Sequence, residues 1–248
     1  MRPAGALSAS ILDMIGDYVK AGVTTLELDD IIYEFTIKNG GIPACLNYKG
    51  YPKSICTSVN EVVCHGIPNA KQKLKDGDIV NIDVTSIING YHGDTSRMYH
   101  VGKISPKARK LSDTARECLF KGIAQVKIGA RIGDIANACQ THAEAAGFSI
   151  VREFVGHGIG KVFHEDPQIP HYGPAGKGPR LTAGMVFTIE PMVNEGHWKT
   201  KILKDGWTAI TIDGGWSAQW EHTMGIKSTG EVVILTESEL EKKSRPAV

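Results

Sequence analysis

The chain reads as an α+β protein made of two related halves, each a helix pair followed by strand-rich sequence, gathered around one site. A repeat is the first observation behind this: Val19-Lys20-Ala21-Gly22-Val23 recurs as Val126-Lys127-Ile128-Gly129-Ala130. The same offset pairs Gly40 with Gly147, Leu74 with Leu181, Gly77 with Gly184, and the run from Ile79 to Asp83 with the run from Val186 to Glu190. The second observation is order, because strand-like sequence follows each helix pair instead of alternating with single helices, which favours α+β over α/β. The third is continuity. No Pro/Ser-rich or charged linker divides the halves, so residues 1–248 are expected to form a single domain, with halves at about 7–101 and 105–235.

Taken in order, Leu7, Ile11, Met14, Ile15, Tyr18 and Val19 fall at helical spacing and predict a helix over 7–20, with Gly22 as its stop. The small apolar run from Ala4 to Leu12 has the look of a signal segment, but Asp13 and Asp17 interrupt it. Thr24 and Glu27 form a capping-box pair that opens a second helix, and Asn39-Gly40-Gly41 closes it. Asn89-Gly90, between two strand-like runs, predicts a two-residue hairpin. Ser105-Pro106 supplies an N-cap and first helical residue for a helix to about Val126, followed by another from Ile132 to Ala146. No stretch approaches the roughly 20 apolar residues of a membrane span, so a soluble protein is expected.

Composition narrows function. With 248 residues the chain is long enough for a substantial core, and 28 Lys+Arg against 27 Asp+Glu leave a net charge of +1. That balance argues against bulk attraction to nucleic acid or an anionic membrane and moves attention to a local site. The five cysteines, Cys45, Cys56, Cys64, Cys118 and Cys139, are odd in number and lack CxxC spacing, which speaks against a disulfide framework or a zinc knuckle. A reducing, cytoplasmic setting is the expectation.

The local site is suggested by Asp83, Asp94, His157, Glu190 and Glu221, four carboxylates and one imidazole in strand-like or Gly-rich contexts. Such a donor set suits hard or borderline divalent cations. If Asn89-Gly90 forms the loop, Thr85 faces Asp94 and Asp83 faces Ser96, so Asp83 and Asp94 are diagonal neighbours on one face of the sheet. A β-bulge would break that parity. Glu190 is the counterpart of Asp83 in the repeat. Glu221 lies between Trp220 and His222, and His157 stands between Gly156 and Gly158, where the chain can approach a neighbour closely. Exposed acids and a loop histidine are the ordinary alternatives for each residue taken alone.

Taken together, Tyr51-Pro52-Lys53-Ser54, His65-Gly66-Ile67-Pro68, Asn81-Ile82-Asp83-Val84, His92-Gly93-Asp94-Thr95, Gly156-His157-Gly158-Ile159-Gly160, Ile189-Glu190-Pro191-Met192 and Glu221-His222-Thr223 resemble the type I methionine aminopeptidases of metallopeptidase family M24. The resemblance runs from about Leu7 to Leu235. It implies the pita-bread fold and a binuclear metal site in which Asp94 and Glu221 bridge two ions, Asp83 completes one coordination sphere, and His157 and Glu190 complete the other. Two divalent ions (Co, Mn, Fe, Zn or Ni) are implied, with a monovalent Na or K ion beside Asn60, Val62 and Ser217. The implied chemistry is removal of the initiator methionine from nascent chains with a small second residue, by attack of a hydroxide held between the metals. Glu190 is expected to shuttle the proton, and His65 and His164 to contact substrate and stabilise the intermediate. Cys45, Tyr48, Tyr51, Cys56, Phe163 and Trp207 match or neighbour the family's methionine pocket, where thiols and aromatic edges suit a thioether.

Partners implied are nascent polypeptide N-termini and a transient ribosome contact, with the enzyme acting as a monomer. Trp220 and Lys49 depart from the familiar pattern and bear on pocket shape. A prolidase or proline-specific aminopeptidase shares the ligands and is the nearest rival, but the HGIP and YPKS strings favour methionine. Only a short segment separates His164 from Glu190, which leaves no room for the helical insertion of type II enzymes. A non-catalytic binding protein of the same fold is the rival from another class, and it would be expected to have lost ligands that are all present here.

Overall fold

The computed structural model describes residues 1–246. The first half begins with helices α1 (Arg2–Ile15), continued by a 3-10 turn at Gly16–Tyr18, and α2 (Thr25–Lys38). Strands β1 (Ile42–Pro43), β2 (Cys56–Val59), β3 (Val62–Cys64), β4 (Ile79–Ile88) and β5 (Tyr91–His100) follow. The second half begins with α3 (Pro106–Ile123) and α4 (Ile132–Ala145), then β6 (Ser149–Ile150), β7 (Gly156–Gly158), β8 (Glu165–Ile169), β9 (Val186–Ile189) and β10 (Met192–Asn194). After these come β11 (Thr200–Ile202), β12 (Ala209–Thr211), β13 (Ser217–Gln219), β14 (His222–Ile226), β15 (Val232–Ile234) and a short α5 (Glu239–Lys242). Helix pair then strands, twice over, is the order the repeat predicts.

Two of the four main helices open on side-chain caps, as expected. Thr24 and Glu27 form the reciprocal capping box of α2, and the Ser105 side chain accepts from Ala108 N–H at the start of α3. Helix α1 differs: it starts at Arg2, ahead of the expected position 7, because Pro3 falls in the first turn, where its missing N–H has no intrahelical partner to lose. It also ends at Ile15 rather than near 20. The small residues that looked signal-like are its packing face, since Ala4, Gly5, Ser8 and Ala9 are buried against the β4–β5 hairpin. A Cβ placed on Gly93 of β5 would lie 2.4 Å from Gly5 N, so helix and strand are in backbone contact there. Ser8 Oγ donates to Gly93 O (2.7 Å) and accepts from Ser86 N–H (3.1 Å), pinning α1 behind the strand that carries Asp94.

The hairpin has the expected register: Ile88 opposite Tyr91, Thr85 opposite Asp94, Asp83 opposite Ser96, unbroken by a bulge. Asn89 (φ 52°) and Gly90 (φ 74°) both take the left-handed conformation that a type I′ turn needs. The hairpin belongs to a sheet of order β1-β4-β2 with β5 added on β4, and the second half contributes a five-stranded sheet of order β15-β14-β9-β7-β8. The halves meet through backbone. Glu221 N–H donates to Ser96 O (3.1 Å), and the Thr95 hydroxyl donates to Glu221 O (2.7 Å). The Thr223 hydroxyl accepts from Asp94 N–H (3.1 Å) and donates to Asp94 O (2.7 Å), so Asp94 of one half is fastened to the strand of Glu221 in the other.

Each half has its own apolar cluster. Ile11, Leu12, Ile15, Leu28, Ile32, Val80, Ile82 and Val84 pack beneath α1 and α2, and Leu111, Leu119, Ile135, Phe187, Ile189 and Met224 pack beneath α3 and α4. Cys118 and Cys139 each donate a thiol hydrogen to the other's carbonyl (3.4 and 3.3 Å), joining α3 to α4, and all five cysteines are free and buried. One segment has no counterpart in the first half. Where β4 and β5 turn in two residues, β10 and β13 are separated by a loop that carries the β11–β12 hairpin, which pairs back onto β3. Among the described residues no helix is long and apolar enough to cross a membrane.

Candidate metal centre and substrate pocket

Asp83 in the middle of β4 and Asp94 on β5 share a face, as the hairpin parity requires, and both line one cavity. Glu190 follows the last residue of β9, and Pro191 then interrupts the strand. The pairs Ile189–His222 and Met192–Gln219 keep one register across that interruption, which sets Glu190 opposite Glu221. His157 is the central residue of β7, squeezed between β8 and β9. A Cβ on Gly156 would meet Thr188 O at 2.5 Å, and one on Gly158 would meet Asp166 O at 2.3 Å. Those two glycines are therefore a steric requirement of the strand that carries the imidazole.

Atoms of Asp94, His157 and Glu221 able to ligate a metal lie within 4.8 Å of one another, with all three residues buried. His157 Nε2 is 3.5 Å from Asp94 Oδ2 and 3.7 Å from Glu190 Oε1. Its Nδ1 is 3.0 Å from Gly158 O, so Nδ1 carries the hydrogen and Nε2 is presented to the acids. Thr188 ties the pair together, accepting from His157 N–H (3.0 Å) and donating to Glu190 Oε1 (2.7 Å). On the other side the Thr85 hydroxyl donates to Asp94 Oδ1 (2.7 Å), and Gln219 Nε2 donates to Glu190 Oε2 (3.3 Å).

Four carboxylates in so small a volume repel one another. Burial, then the charge of Asp94, raises Asp83 and Glu221 well above the ordinary carboxylate range. Glu190 is pushed up to about 7, by burial first, with the nearby His157 opposing. For His157 burial works against the cation, but its bond to Asp94 and the charges of Glu190 and Asp94 prevail and hold it up at about 9. A chain that buries this much like charge without a fixed counter-cation would be working against its own fold. Hard divalent cations would balance that charge, and carboxylate oxygens with one imidazole nitrogen are donors that suit them.

One consequence can be measured. Raised carboxylate values mean that the folded, metal-free protein holds protons the unfolded chain has released above about pH 4.5, so the site's contribution declines as pH climbs through about 7. His157 adds in the same direction: its contribution is complete below 6.5 and is lost on approach to about 9. The melting temperature of chelator-treated protein should fall between pH 5 and 9, and added Mn or Co should flatten that fall. A level or rising profile in chelator contradicts the account.

The remaining expected residues line the same cavity, which has a volume of about 320 Å³: Cys45, Tyr48, Tyr51, Cys56, His65, Phe163, His164 and Trp207. Tyr48 and Phe163 rings lie 4.8 Å apart, and Tyr51 meets Trp207 edge-on at 5.1 Å. The Tyr51 hydroxyl is committed to the carbonyls of Ile55 and Gly66, each at 3.0 Å, so this residue offers its ring to the cavity and not its polar end. Contact with Cys56, then burial, raises the Cys45 thiol, while at Cys56 the contact with Cys45 works the other way and burial with the charge of Asp83 prevails, so both thiols stay protonated and polarizable. His65 holds a left-handed backbone (φ 56°), and His164 Nδ1 is 3.0 Å from the Tyr48 hydroxyl. Burial, then His157, lowers His164 to about 4, which makes it a neutral imidazole at pH 7.

The structure adds residues that sequence patterns did not mark. Phe154 packs edge-on against His65 (5.4 Å) on the cavity wall and Glu153 lines it too, beside Lys49, which was expected to bear on pocket shape, and Met192 of the Glu190 motif. His171, 1% exposed, accepts the Glu190 N–H on its Nε2 at 2.9 Å. Burial drives it down to about 3, so it is neutral and free to accept. No spacing or turn signal separates His171 from the chain's other histidines.

A family model, metallopeptidase family M24, matches residues 1–228. Methionine aminopeptidase A of Synechocystis is 60% identical over 236 residues, which cover 95% of this chain and 93% of that protein. The crystal structure of methionine aminopeptidase from Rickettsia prowazekii superposes with a TM-score of 0.93 at 52% identity, covering 95% of this chain and 94% of that one. Prolidase from Pyrococcus furiosus shares the fold alone, with a TM-score of 0.75 at 20% identity over 62% of its length. The two αα–β halves are those of the pita-bread fold, and the chain belongs to metallopeptidase family M24, among its type I methionine aminopeptidases.

Proposed function

We propose that the chain removes the initiator methionine from nascent proteins whose second residue is small, using Asp83, Asp94, His157, Glu190 and Glu221 to hold two divalent cations. The observation that carries the reading is the convergence of four carboxylates and one imidazole on the lining of one cavity that also presents thiols and aromatic rings. In this reading Asp94 and Glu221, fastened to each other's strands, would hold the cations together with Asp83 on one side and His157 with Glu190 on the other. Bound there, the cations would supply a water of low pKa and Lewis-acid polarisation of the scissile carbonyl.

The chain's own groups do the rest. Cys45, Tyr48, Tyr51, Cys56, Phe163 and Trp207 take the thioether side chain, and the acids attract the substrate's free ammonium. Glu190 takes the proton from the attacking water and returns it to the leaving amine. With the Tyr48 hydroxyl donating to Nδ1, neutral His164 carries its proton on Nε2 and donates it in a hydrogen bond to the developing oxyanion, with His65 as a second contact. His164→Ala should lower kcat by roughly 10²–10³-fold while bound metal, measured by atomic absorption after dialysis, stays near wild type. Loss of both ions would remove His164 from this role.

The reading takes the two ions from Co, Mn, Fe, Zn and Ni, and adds a monovalent Na or K ion beside Asn60, Val62 and Ser217. It treats residues 1–248 as one catalytic domain with halves at about 7–101 and 105–235, acting as a monomer in the cytoplasm on nascent N-termini with transient contact to the ribosome. The test is release of methionine from Met-Ala-Ser and from Pro-containing control peptides by chelator-treated protein given Mn, Fe, Co or Zn. Release only from Met-Ala-Ser supports the reading; no release with any metal overturns it.

A further inference from the structure

Glu190 occupies an awkward place in the fold. It follows β9 and precedes Pro191, which has no N–H, and its own N–H lies in the buried interior where the β9 ladder has ended. An unpaired buried amide costs about 1–3 kcal/mol and leaves the local backbone free to turn. The partner it finds is His171 Nε2 at 2.9 Å, from the segment just after β8. Three hydrogen bonds then hold Glu190: from Thr188 Oγ1 to Oε1 (2.7 Å), from Gln219 Nε2 to Oε2 (3.3 Å), and from its own main-chain N–H to His171. Of the three, only the last acts on the backbone from which the carboxylate projects.

We infer that His171 is a positioning residue: by accepting the Glu190 N–H it fixes the break between β9 and β10 so that the Glu190 carboxylate points at the site it shares with His157. The inference rests on the two-ion reading above. It assigns the coordination half containing His157 and Glu190 a dependence on a residue that touches neither metal nor substrate. Acceptor reach matters here as well as polarity. The Oε1 of a glutamine extends about as far as the histidine Nε2, whereas the Oδ1 of an asparagine stops near the position of Nδ1.

The test compares wild type, His171→Gln, His171→Asn and His171→Leu, each stripped with chelator and titrated with Mn by calorimetry, with Met-Ala-Ser kinetics in parallel. In His171→Asn and His171→Leu one of the two Mn ions should bind about 10–100-fold more weakly, the range seen when a group supporting a ligand is removed, while the other stays within about threefold. In the same variants kcat should fall with KM little changed, and His171→Gln should restore both quantities to within about threefold of wild type. Should His171→Leu fail to fold, the Asn and Gln pair carries the comparison, because both are polar and differ in reach. Wild-type affinity for both ions in His171→Asn, or equal damage in His171→Gln and His171→Asn, overturns the inference. A wild-type protein that binds no Mn overturns the two-ion reading instead, so the two failures are distinguishable.

Discussion

Asp94→Asn should lower methionine release by on the order of 10³-fold or more, several kcal/mol of transition-state stabilisation, while making the chelator-treated protein more stable than wild type. The two effects have one cause. Asp94 raises Asp83, Glu190 and Glu221 through its charge, and its own carboxylate lies within 4.8 Å of atoms on His157 and Glu221 able to ligate a metal. An amide of the same shape removes a charge from a crowded buried cluster and, on the proposed two-cation reading, a ligand shared by the cations that would balance it. Asn retains an oxygen to accept from Thr85, so the hairpin is spared. Melting curves with chelator and with Mn should cross over: wild type gains the larger stabilisation from metal, as mass action on the folded state requires, and the variant gains little. A variant that is less stable than wild type in chelator would show that packing, not charge, dominates at Asp94.

Glu241→Gln should destabilise the protein by about 3 kcal/mol at neutral pH, with the deficit vanishing between about pH 4.5 and 2. Glu241, on the short C-terminal helix α5, is 5% exposed and lies 3.1 Å from Arg97 Nη2 and 3.5 Å from His222 Nε2. Burial disfavours its charge, but His222, Arg97 and Arg116 outweigh burial and hold it down at about 2. A depressed carboxyl contributes stability above its unfolded value near 4.5, and that contribution is lost as pH falls toward the folded value. Arg97 also pairs with Asp13 of α1 at 2.8 Å, so the network ties both ends of the chain to β5, and His222 adjoins Glu221 in sequence. For a chain of this length the loss corresponds to roughly 6–12 °C in Tm at pH 7. Parallel acid titration of variant and wild type between pH 5 and 3 would place the acid sensitivity elsewhere.

What could be read in advance was local. The Asn89-Gly90 turn set the parity of ten flanking residues on each side, and through it the shared face of Asp83 and Asp94, because a two-residue I′ loop leaves no freedom of register. The capping pairs Thr24/Glu27 and Ser105/Pro106 opened their helices for the same reason, each being complete within four residues. The first helix begins ahead of the position its apolar spacing predicts, because Pro3 and the small residues after it carry no apolar stripe. Their role as a close-packed face exists only once Gly93 lies against Gly5.

The repeat related Asp83 to Glu190 but could not bring Glu190 to Glu221. That meeting depends on β9 and β10 keeping register with β14 and β13 across a long loop, a pairing whose free energy is collected only after the chain has closed on itself. The same holds for Trp207, delivered to the cavity from the β11–β12 hairpin, and for His171, whose value lies wholly in one hydrogen bond to a distant amide. Residue types and short spacings carried the donor chemistry, the turns and the helix starts, since these depend on neighbours along the chain. The convergence of the donors, the buried charge that calls for cations and the backbone anchor behind Glu190 come from contacts between segments far apart in sequence, where only the packed fold sets the distances that give those groups their effect.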